Sequence, residues 1–264
     1  MDYDGVTLSY RCDKRLLSPV VRHCLVPVAC DEPVLAFLDR YHRRPHGFAR
    51  TLLHGLLRLL VSDFDANAIL AMYPLHLLAT GQWQALLGGR PGGHLLDVGA
   101  GSGEVTSTLA PLFDDILTTE VSRAMAWRLG RRGFRCLRMD VATAQIALPP
   151  SDVVSCLNVL DRASRPLSLL RAIRGMLAPG GRLVVALPLP ARPWTYHGAQ
   201  IAAPEEELGC GAPTFEESAS LFAEAVLAPA GFTVQAFTRA PYLSRGDAAR
   251  ALYVLDDAIF VAAG

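Results

Sequence analysis

Short apolar runs alternate with helical patterns from residue 94 onward. The apolar runs predict strands at 94–98, 116–120, 134–139, 153–157 and 182–187. Apolar residues recurring three and four positions apart predict helices between them, at 104–113, 123–131 and 167–177. Strand and helix in strict alternation predict parallel βαβ units in a sheet that is covered on both faces. Two more strands are expected at 233–238 and 253–262, with a loop at 239–251 between them.

Residues before 94 have a different, mainly helical texture. From Pro33 the pattern is helical, and it is broken by Pro45 and Gly47. The next apolar positions share one helical face and predict a helix that packs on a core, with a basic outer stripe of Arg50, His54 and Arg58; these apolar positions are Ala49, Leu52, Leu53, Leu56, Leu57 and Leu60. We therefore predict a helical extension at 1–90 and an α/β domain at 91–264.

A capping box predicts one more helix late in the chain. Thr214 and Glu217 have the spacing at which each side chain bonds the other residue's backbone N–H. The helix is expected to run from there to about Leu227.

The composition and charge of the chain limit the classes of partner that it can be expected to bind. The chain has 25 basic and 25 acidic residues and is 51% hydrophobic, so it folds, and no overall field draws it to nucleic acid or anionic lipid. Six arginines without an acid lie between 122 and 139, a pattern that favours a solvated helix face over a phosphate site. We expect a monomer with no nucleic-acid partner.

Cysteine and histidine spacing argues against a metal site. The six cysteines contain no C-x-x-C pair, and the seven histidines are scattered without metal-binding spacing. No apolar stretch reaches the length of about 18 residues that a membrane span needs, and residues 1–25 lack a secretory apolar core. We expect no metal, no stable membrane insertion, and a cytoplasmic or organelle-associated protein.

The segment "LLDVGAGSGEV" joins the first strand of the α/β domain to the next helix. It contains Asp97, Gly99, Gly101 and Gly103, and glycines here let the backbone turn sharply and approach a ligand closely. The G-x-G-x-G spacing differs from the G-x-G-x-x-G dinucleotide fingerprint. It resembles motif I of the class I S-adenosylmethionine-dependent methyltransferases.

Two acids at the next strand ends extend this site. Glu120 ends the second strand, where its carboxylate can accept both ribose hydroxyls of the cofactor. Asp140 follows the third strand, where it can accept from the adenine amino group; the alternative is a solvated loop acid.

The fourth strand delivers three polar groups at its end. Asn158, Asp161 and Arg162 follow the apolar run "DVVSCL", and ligands of open parallel sheets lie beyond the carboxyl ends of the strands. We expect Asn158 to face the methyl donor and Asp161 to hold the methyl acceptor. The alternative is that Asp161 caps the helix that starts near Pro166.

Four segments carry a closer resemblance, from about Ala68 to the end of the chain. "LLDVGAGSGEVT", "VVSCLNVLDRASRPLSLLRAI", "GFTVQAFTRAPYLSRGD" and "YVLDDAIFV" resemble the DREV-type methyltransferases, protein-histidine N-methyltransferases that modify the pros nitrogen in His-x-His motifs. The resemblance implies a class I methyltransferase fold, with a seven-stranded, mostly parallel sheet and helices on both faces. It also implies S-adenosylmethionine as the methyl donor and protein or peptide substrates carrying His-x-His.

The resemblance assigns roles to individual residues. It implies an acceptor site at Asn158, Asp161, Tyr242 and Tyr253. Because the imidazole nitrogen that is held as donor decides which nitrogen attacks, we expect Asp161 to grip the tele N–H, with Tyr253 as a neighbouring wall or hydrogen-bond donor. Arg162, beside Asp161, and Arg245 are further candidates for binding the substrate. Arg245 lies in the "SRGD" segment, which fits a pocket for the second histidine. Tyr242 belongs to that pocket too, unless it is an ordinary tyrosine with a satisfied hydroxyl.

Three other functions stay open from the sequence. A small-molecule or an RNA methyltransferase can use the same fold, because fold alone does not choose a substrate. A partner protein that binds the cofactor without catalysis is the third.

Overall fold

The computed structural model describes residues 1–42, 47–58, 60–144, 148–197, 200–247 and 250–264. Its strands are β1 Asp2–Tyr3, β2 Val6–Thr7, β3 Leu75–His76, β4 His94–Val98, β5 Asp115–Glu120, β6 Arg135–Arg138, β7 Ser151–Leu157, β8 Leu177–Pro188, β9 Thr195–His197, β10 Gln200–Ala202, β11 Thr233–Arg245 and β12 Leu252–Ala263. Its α-helices are α1 Pro19–His23, α2 Glu32–Tyr41, α3 Phe48–Leu57, α4 Asp63–Leu70, α5 Thr80–Leu86, α6 Glu104–Leu109, α7 Arg123–Arg131, α8 Pro166–Gly175 and α9 Phe215–Leu221. A 3₁₀ turn, Ala110–Leu112, follows α6, and a π-helix, Phe222–Leu227, continues α9.

One twisted sheet organises the described part of the chain. Its eight strands have the order β3-β11-β12-β8-β7-β4-β5-β6. The five strands from β8 to β6 are mutually parallel. β12 runs antiparallel to β8, and β11 runs antiparallel to β12, so β11 again has the direction of the five. This is the predicted class I methyltransferase fold, with the two-residue β3 added at the edge of the expected seven strands.

The predicted elements of the α/β domain are confirmed, with β4 and α7 at the expected bounds. The capping box is also confirmed, because the hydroxyl of Thr214 accepts from the backbone N–H of Glu217 and the carboxylate of Glu217 accepts in return. The loop expected at 239–251 is wrong over its first half. There β11 continues to Arg245 and pairs with β12, and residues on both of its faces are fully buried, as Ala240 and Leu243 show.

Residues 1–90 are joined to the main sheet. Besides α1 to α5 they supply β3, which pairs with β11 through His76 and Leu243. Leu25 forms a further bridge with Phe237. Within the described residues no helix is long and apolar enough to cross a membrane.

The prediction that the helix after Gly47 packs its apolar face on a core is wrong. That helix is α3, and it rests on α4 at the periphery. Its apolar residues Leu52, Leu53 and Leu56 are about half exposed, and Leu60 beyond it is 83% exposed. The periodicity predicted a helix, but periodicity does not say whether another element lies against the apolar face.

Both faces of the sheet are covered. Neighbouring residues of β4 point to opposite sides, so that Leu95 packs with Trp83 of α5 while Leu96 packs with Leu170 of α8. This double cover leaves the carboxyl ends of the strands as the open edge at which a site can form.

Candidate active site

A cavity of about 650 Å³ lies at the carboxyl ends of β4, β5 and β7. Its size is in the range that holds a cofactor-sized ligand. The walls combine the glycine segment, the ends of these strands and part of α4. The predicted site residues that line it are Asp97, Gly99, Gly101, Glu120, Asp140, Asn158, Arg162 and Tyr242.

The glycine segment turns through left-handed backbone conformations that favour glycine. Gly99 has φ of 69° and Gly103 has φ of 82°. A Cβ on Gly99 would lie 2.6 Å from Cγ2 of Val159, and one on Gly103 would lie 2.9 Å from Cδ2 of Leu129. Gly103 therefore serves close packing between α6 and α7, and it does not line the cavity. Beside Gly101, in contrast, a Cβ would meet no atom within 4 Å.

Asp97 is fixed below this turn by two hydroxyl groups. Its Oδ2 accepts from Oγ1 of Thr106 at 2.6 Å, and its Oδ1 accepts from Oγ of Ser155 at 2.6 Å. Burial raises the pKa of Asp97 to about 6, and the two hydrogen bonds oppose that rise. Asp97 thus ties the glycine segment to α6 and β7 and presents its carboxylate at the cavity wall.

Glu120 is held by three backbone N–H groups. Its Oε2 accepts from Gly101 at 2.9 Å, and its Oε1 accepts from Val121 at 2.8 Å and Ser122 at 3.0 Å. A carboxylate has about four acceptor positions, so one on Oε2 is left for a ribose hydroxyl. If Glu120 is to bind both ribose hydroxyls of the cofactor, as expected, one carboxylate acceptor position must serve a backbone N–H and a hydroxyl together. Burial raises the pKa of Glu120, and the backbone bonds oppose this.

Asp140 lies on the cavity wall in an exposed turn after β6. Its carboxylate accepts from the backbone N–H of Ala142 at 2.9 Å and from the hydroxyl of Thr143 at 3.1 Å. The turn therefore fixes an acceptor where adenine is expected, and the adenine contact itself stays a prediction.

At the end of β7 the polar groups are brought together as expected. Asn158 has a left-handed φ of 57°, and its Nδ2 donates to Oδ2 of Asp257 at 2.8 Å. Asp161 is 2% exposed, and its Oδ2 lies 2.6 Å from Nη1 of Arg162. The guanidinium of Arg162 stacks 4.3 Å from the ring centre of Trp194.

The alternative in which Asp161 caps the following helix is wrong. The residue at the N-cap of α8 is Arg165, whose side chain makes no cap bond. The backbone N–H of Ser168 in the first turn donates instead to Oε2 of Glu206 at 2.8 Å. Asp161 does not line the cavity either; it is joined to the cavity wall through Arg162. Burial raises its pKa, and the charge of Arg162 opposes the rise.

The two tyrosines implied by the resemblance lie in different places. Tyr242 lines the cavity, and burial raises its pKa, with the charge of Asp257 adding to the effect. Tyr253 lies away from the cavity, where its hydroxyl donates to Oδ2 of Asp247 at 2.6 Å. The geometry therefore gives no support to Tyr253 as a wall of the acceptor site.

Arg245 also lies away from the cavity. Its guanidinium stacks 5.3 Å from the ring centre of Tyr41, at the end of β11. A role for it in binding substrate stays a prediction.

Two contributors were missed from the sequence. Asp257 is fully buried in β12 and bonds Asn158; the acidic pair in the strand "LYVLDDAIFV" was the available signal. The second is α4 and the turn after it, which line the cavity through Asn67, Ala68, Ala71, Met72 and Tyr73. These residue types carry no recognisable binding pattern.

Among the described residues, no group of His, Cys, Asp and Glu side chains is arranged to hold a metal ion. The fit to S-adenosylmethionine rests instead on the open space beside Gly101, the remaining acceptor position on Glu120 and the volume of the cavity. These features suit an adenosyl group bound along the glycine segment, with its methionine part toward Asn158.

The chain is similar in sequence to known methyltransferases. The family model of the DREV methyltransferases matches residues 9–263. Ubiquinone biosynthesis O-methyltransferase of Alkalilimnicola ehrlichii is 29% identical over 106 residues, which are 37% of this chain and 42% of that protein. The chain thus matches less than half the length of this curated relative.

Solved structures with related folds share little sequence. The N-methyltransferase NodS of Bradyrhizobium japonicum WM9, in complex with S-adenosylhomocysteine, is 15% identical with a TM-score of 0.43, over 87% of this chain and 97% of that chain. The 1,6-didemethyltoxoflavin-N1-methyltransferase of Burkholderia thailandensis is 18% identical with a TM-score of 0.45, over 90% and 92% of the two chains.

The sheet order, the glycine segment with its acids and the family match lead to one assignment. The chain belongs to the DREV methyltransferase family, and S-adenosylmethionine is the methyl donor that its site fits.

Proposed function

We propose that the protein transfers a methyl group to the pros nitrogen of histidine in His-x-His motifs of protein substrates. The observation that carries the proposal is a set of buried oxygen atoms without hydrogen-bond partners at the end of β7. They are Oδ1 of Asn158, Oδ1 of Asp161 and Oδ1 of Asp257. Each is an acceptor, and an acceptor left unpaired in a buried site costs about 1–3 kcal/mol.

These acceptors suit a ligand that brings N–H donors. Neutral imidazole has one N–H group and one lone pair on the other nitrogen, and the nitrogen held as the donor decides which one attacks. Asp161 gripping the tele N–H would leave the pros lone pair free. Selection of a tautomer thus accounts for a carboxylate beside a methyl-transfer site, where no strong base is needed.

S-adenosylmethionine supplies an electrophilic methyl group on a sulfonium. The pros nitrogen forms its bond to that methyl carbon as the carbon–sulfur bond breaks, and the positive charge moves to the imidazole ring. The carboxylate of Asp161 stabilises this charge, and the tele N–H proton then leaves toward it or toward solvent. Positioning supplies most of the rate, because neutral imidazole is already a nucleophile.

Arg162 must move for this contact to form. The guanidinium bonds Asp161 and lines the cavity, while the carboxylate itself does not. The side chain of Arg162 is 29% exposed, so it has solvent on one side into which it can swing. Binding of the peptide would exchange one cationic partner of Asp161 for the imidazole N–H.

A small-molecule O-methyltransferase is the second candidate, favoured by the partial match to the ubiquinone-pathway enzyme. An acceptor hydroxyl would have to lose its proton to become a good nucleophile. The raised pKa of Asp161 makes that carboxylate a better base than an exposed one, so the two candidates need a direct test.

The test compares acceptors with the same enzyme and methyl donor. Peptides containing His-x-His, the matching peptides with one histidine replaced by alanine, and catechols are incubated, and methylation is read by mass spectrometry. We expect methylation of His-x-His alone, and exclusive methylation of catechols would overturn the proposal. The variant D161N should lower turnover about a hundredfold or more and leave the Kd of S-adenosylhomocysteine nearly unchanged. The matched control is D115N, on an exposed carboxylate that pairs with Arg135.

A further inference from the structure

The side-chain amide of Asn158 has a fixed orientation. Asn158 follows β7 directly and has a left-handed backbone conformation. Its backbone N–H donates to the carbonyl oxygen of Ala186 at 2.8 Å. Its Nδ2 donates to Oδ2 of Asp257 at 2.8 Å, and its Oδ1 is buried without a partner. The donor end of the amide is therefore engaged, and the acceptor end is available.

Asp257 is an unusual residue for its place in the fold. It lies in β12 opposite Pro188 and Ala240, on a strand that continues as the fully buried run Ala258–Phe260. A carboxyl group without solvent costs stability, and burial raises its pKa well above the ordinary value, with the nearby charge of Asp161 adding to the rise. An apolar residue would fill this position at lower cost, so the carboxyl group calls for a functional explanation.

We propose that Asp257 is a positioning residue that fixes the amide of Asn158 so that the site meets its carbonyl oxygen and not its NH₂ group. A carboxylate only accepts hydrogen bonds, whereas the two ends of an amide differ, so pairing with Asp257 settles which end is left. A protonated Asp257 has the same effect when the proton is on Oδ1, because Oδ2 is then a carbonyl-type acceptor.

The consequence concerns ligand choice and rests on the proposed function. With the amide fixed, Asn158 presents an acceptor atom at the cavity, and Asp161 adds a second acceptor once Arg162 has moved. The site then favours ligands with N–H donors. Two such donors are expected near Asn158 in the proposed reaction, the imidazole N–H of the substrate and the ammonium group of the methyl donor. Binding and turnover measurements separate them.

The first test reads the hydrogen bond without relying on activity. In protein with ¹⁵N-labelled asparagine, the side-chain NH₂ of Asn158 should exchange slowly and show nuclear Overhauser contacts to the β protons of Asp257. The variant D257N should shift this resonance and speed its exchange. The matched control D256N should not, because Asp256 on the same strand bonds Arg239 instead. An Asn158 amide that exchanges freely in the unaltered protein would overturn the proposal, even if D257N fails to fold.

The second test exchanges the two groups. D257N and N158D should each lower kcat/KM for a His-x-His peptide about tenfold or more, with thermal midpoints measured alongside. The double variant N158D/D257N re-forms the amide–carboxylate bond with an acceptor still at position 158, so it should be more active than either single variant. Folded single variants with unchanged kcat/KM, or a folded double variant no better than both, would overturn the positioning role.

The outcomes keep the two proposals apart. A higher Kd of S-adenosylhomocysteine in D257N would mean that the side-chain oxygen of Asn158 binds the ammonium group of the cofactor. A change confined to turnover would mean that this oxygen binds the imidazole of the substrate. Absence of histidine methylation by the unaltered protein would remove the proposed function, while the resonance of Asn158 and the cofactor titration would still decide the role of Asp257.

Discussion

Contact between Gly99 and Val159 joins the glycine segment to the polar end of β7, and it allows a quantitative prediction. In G99A the new Cβ would lie 2.6 Å from Cγ2 of Val159, on a residue with φ of 69°. The left-handed conformation costs an alanine about 1–2 kcal/mol. Displacing the stiff valine adds about 1–3 kcal/mol. The free energy of unfolding should therefore fall by roughly 2–5 kcal/mol.

Gly101 provides the matched control for this effect. Its φ is 57°, yet a Cβ there would meet no atom within 4 Å, so G101A should cost only the backbone term of about 1–2 kcal/mol. Urea unfolding followed by circular dichroism gives both values. In the double variant G99A/V159A the clash is gone, and the two substitutions should combine to less than the sum of their separate costs. The packing account is refuted if G99A is no more destabilising than G101A, or if the double variant is additive.

Three more variants test other parts of the site and fold. The pKa of Asp97 is raised from 3.8 to about 6, so the stability that its protonated carboxyl group contributes is present below about pH 4 and is lost as the pH rises through 6. Between these limits the free energy of unfolding of the unaltered protein should fall by roughly 3 kcal/mol relative to that of D97N, which does not titrate at this position. A pH-independent difference would contradict this. In E120Q the Kd of S-adenosylhomocysteine, measured by calorimetry, should rise about tenfold or more because a charged acceptor is lost, and an unchanged Kd would place the ribose elsewhere. T214A should cost about 1 kcal/mol in urea unfolding because the cap of α9 is lost; no change would mean that the cap adds nothing.

The α/β part of the fold was predictable because each of its strands is a short apolar run between helical patterns. The end of β11 was not, because Arg239 and Arg245 gave the segment the polar look of a loop. In the structure Arg239 bonds Asp256 on the neighbouring strand, a pairing that only the register of the two strands reveals. Likewise the leucines of α3 predicted a helix but not its exposure.

The cofactor half of the site was predictable for a related reason. Asp97, Gly101 and Glu120 stand at the ends of elements where their spacing along the chain sets their positions in space. The acceptor half depends on contacts between distant segments. Asn158 meets Asp257 across 99 positions of sequence, and no local pattern shows that the amide will be held by that carboxylate.

The proposed transfer of methyl to the pros nitrogen of histidine is tested most directly by finding which ring nitrogen carries the methyl group in the product. The enzyme is incubated with S-adenosylmethionine and a His-x-His peptide, the product is hydrolysed, and chromatography separates pros-methylhistidine from tele-methylhistidine. We expect the pros isomer alone. The tele isomer would contradict the grip of Asp161 on the tele N–H, and the absence of methyl transfer to any His-x-His peptide would contradict the proposed function itself.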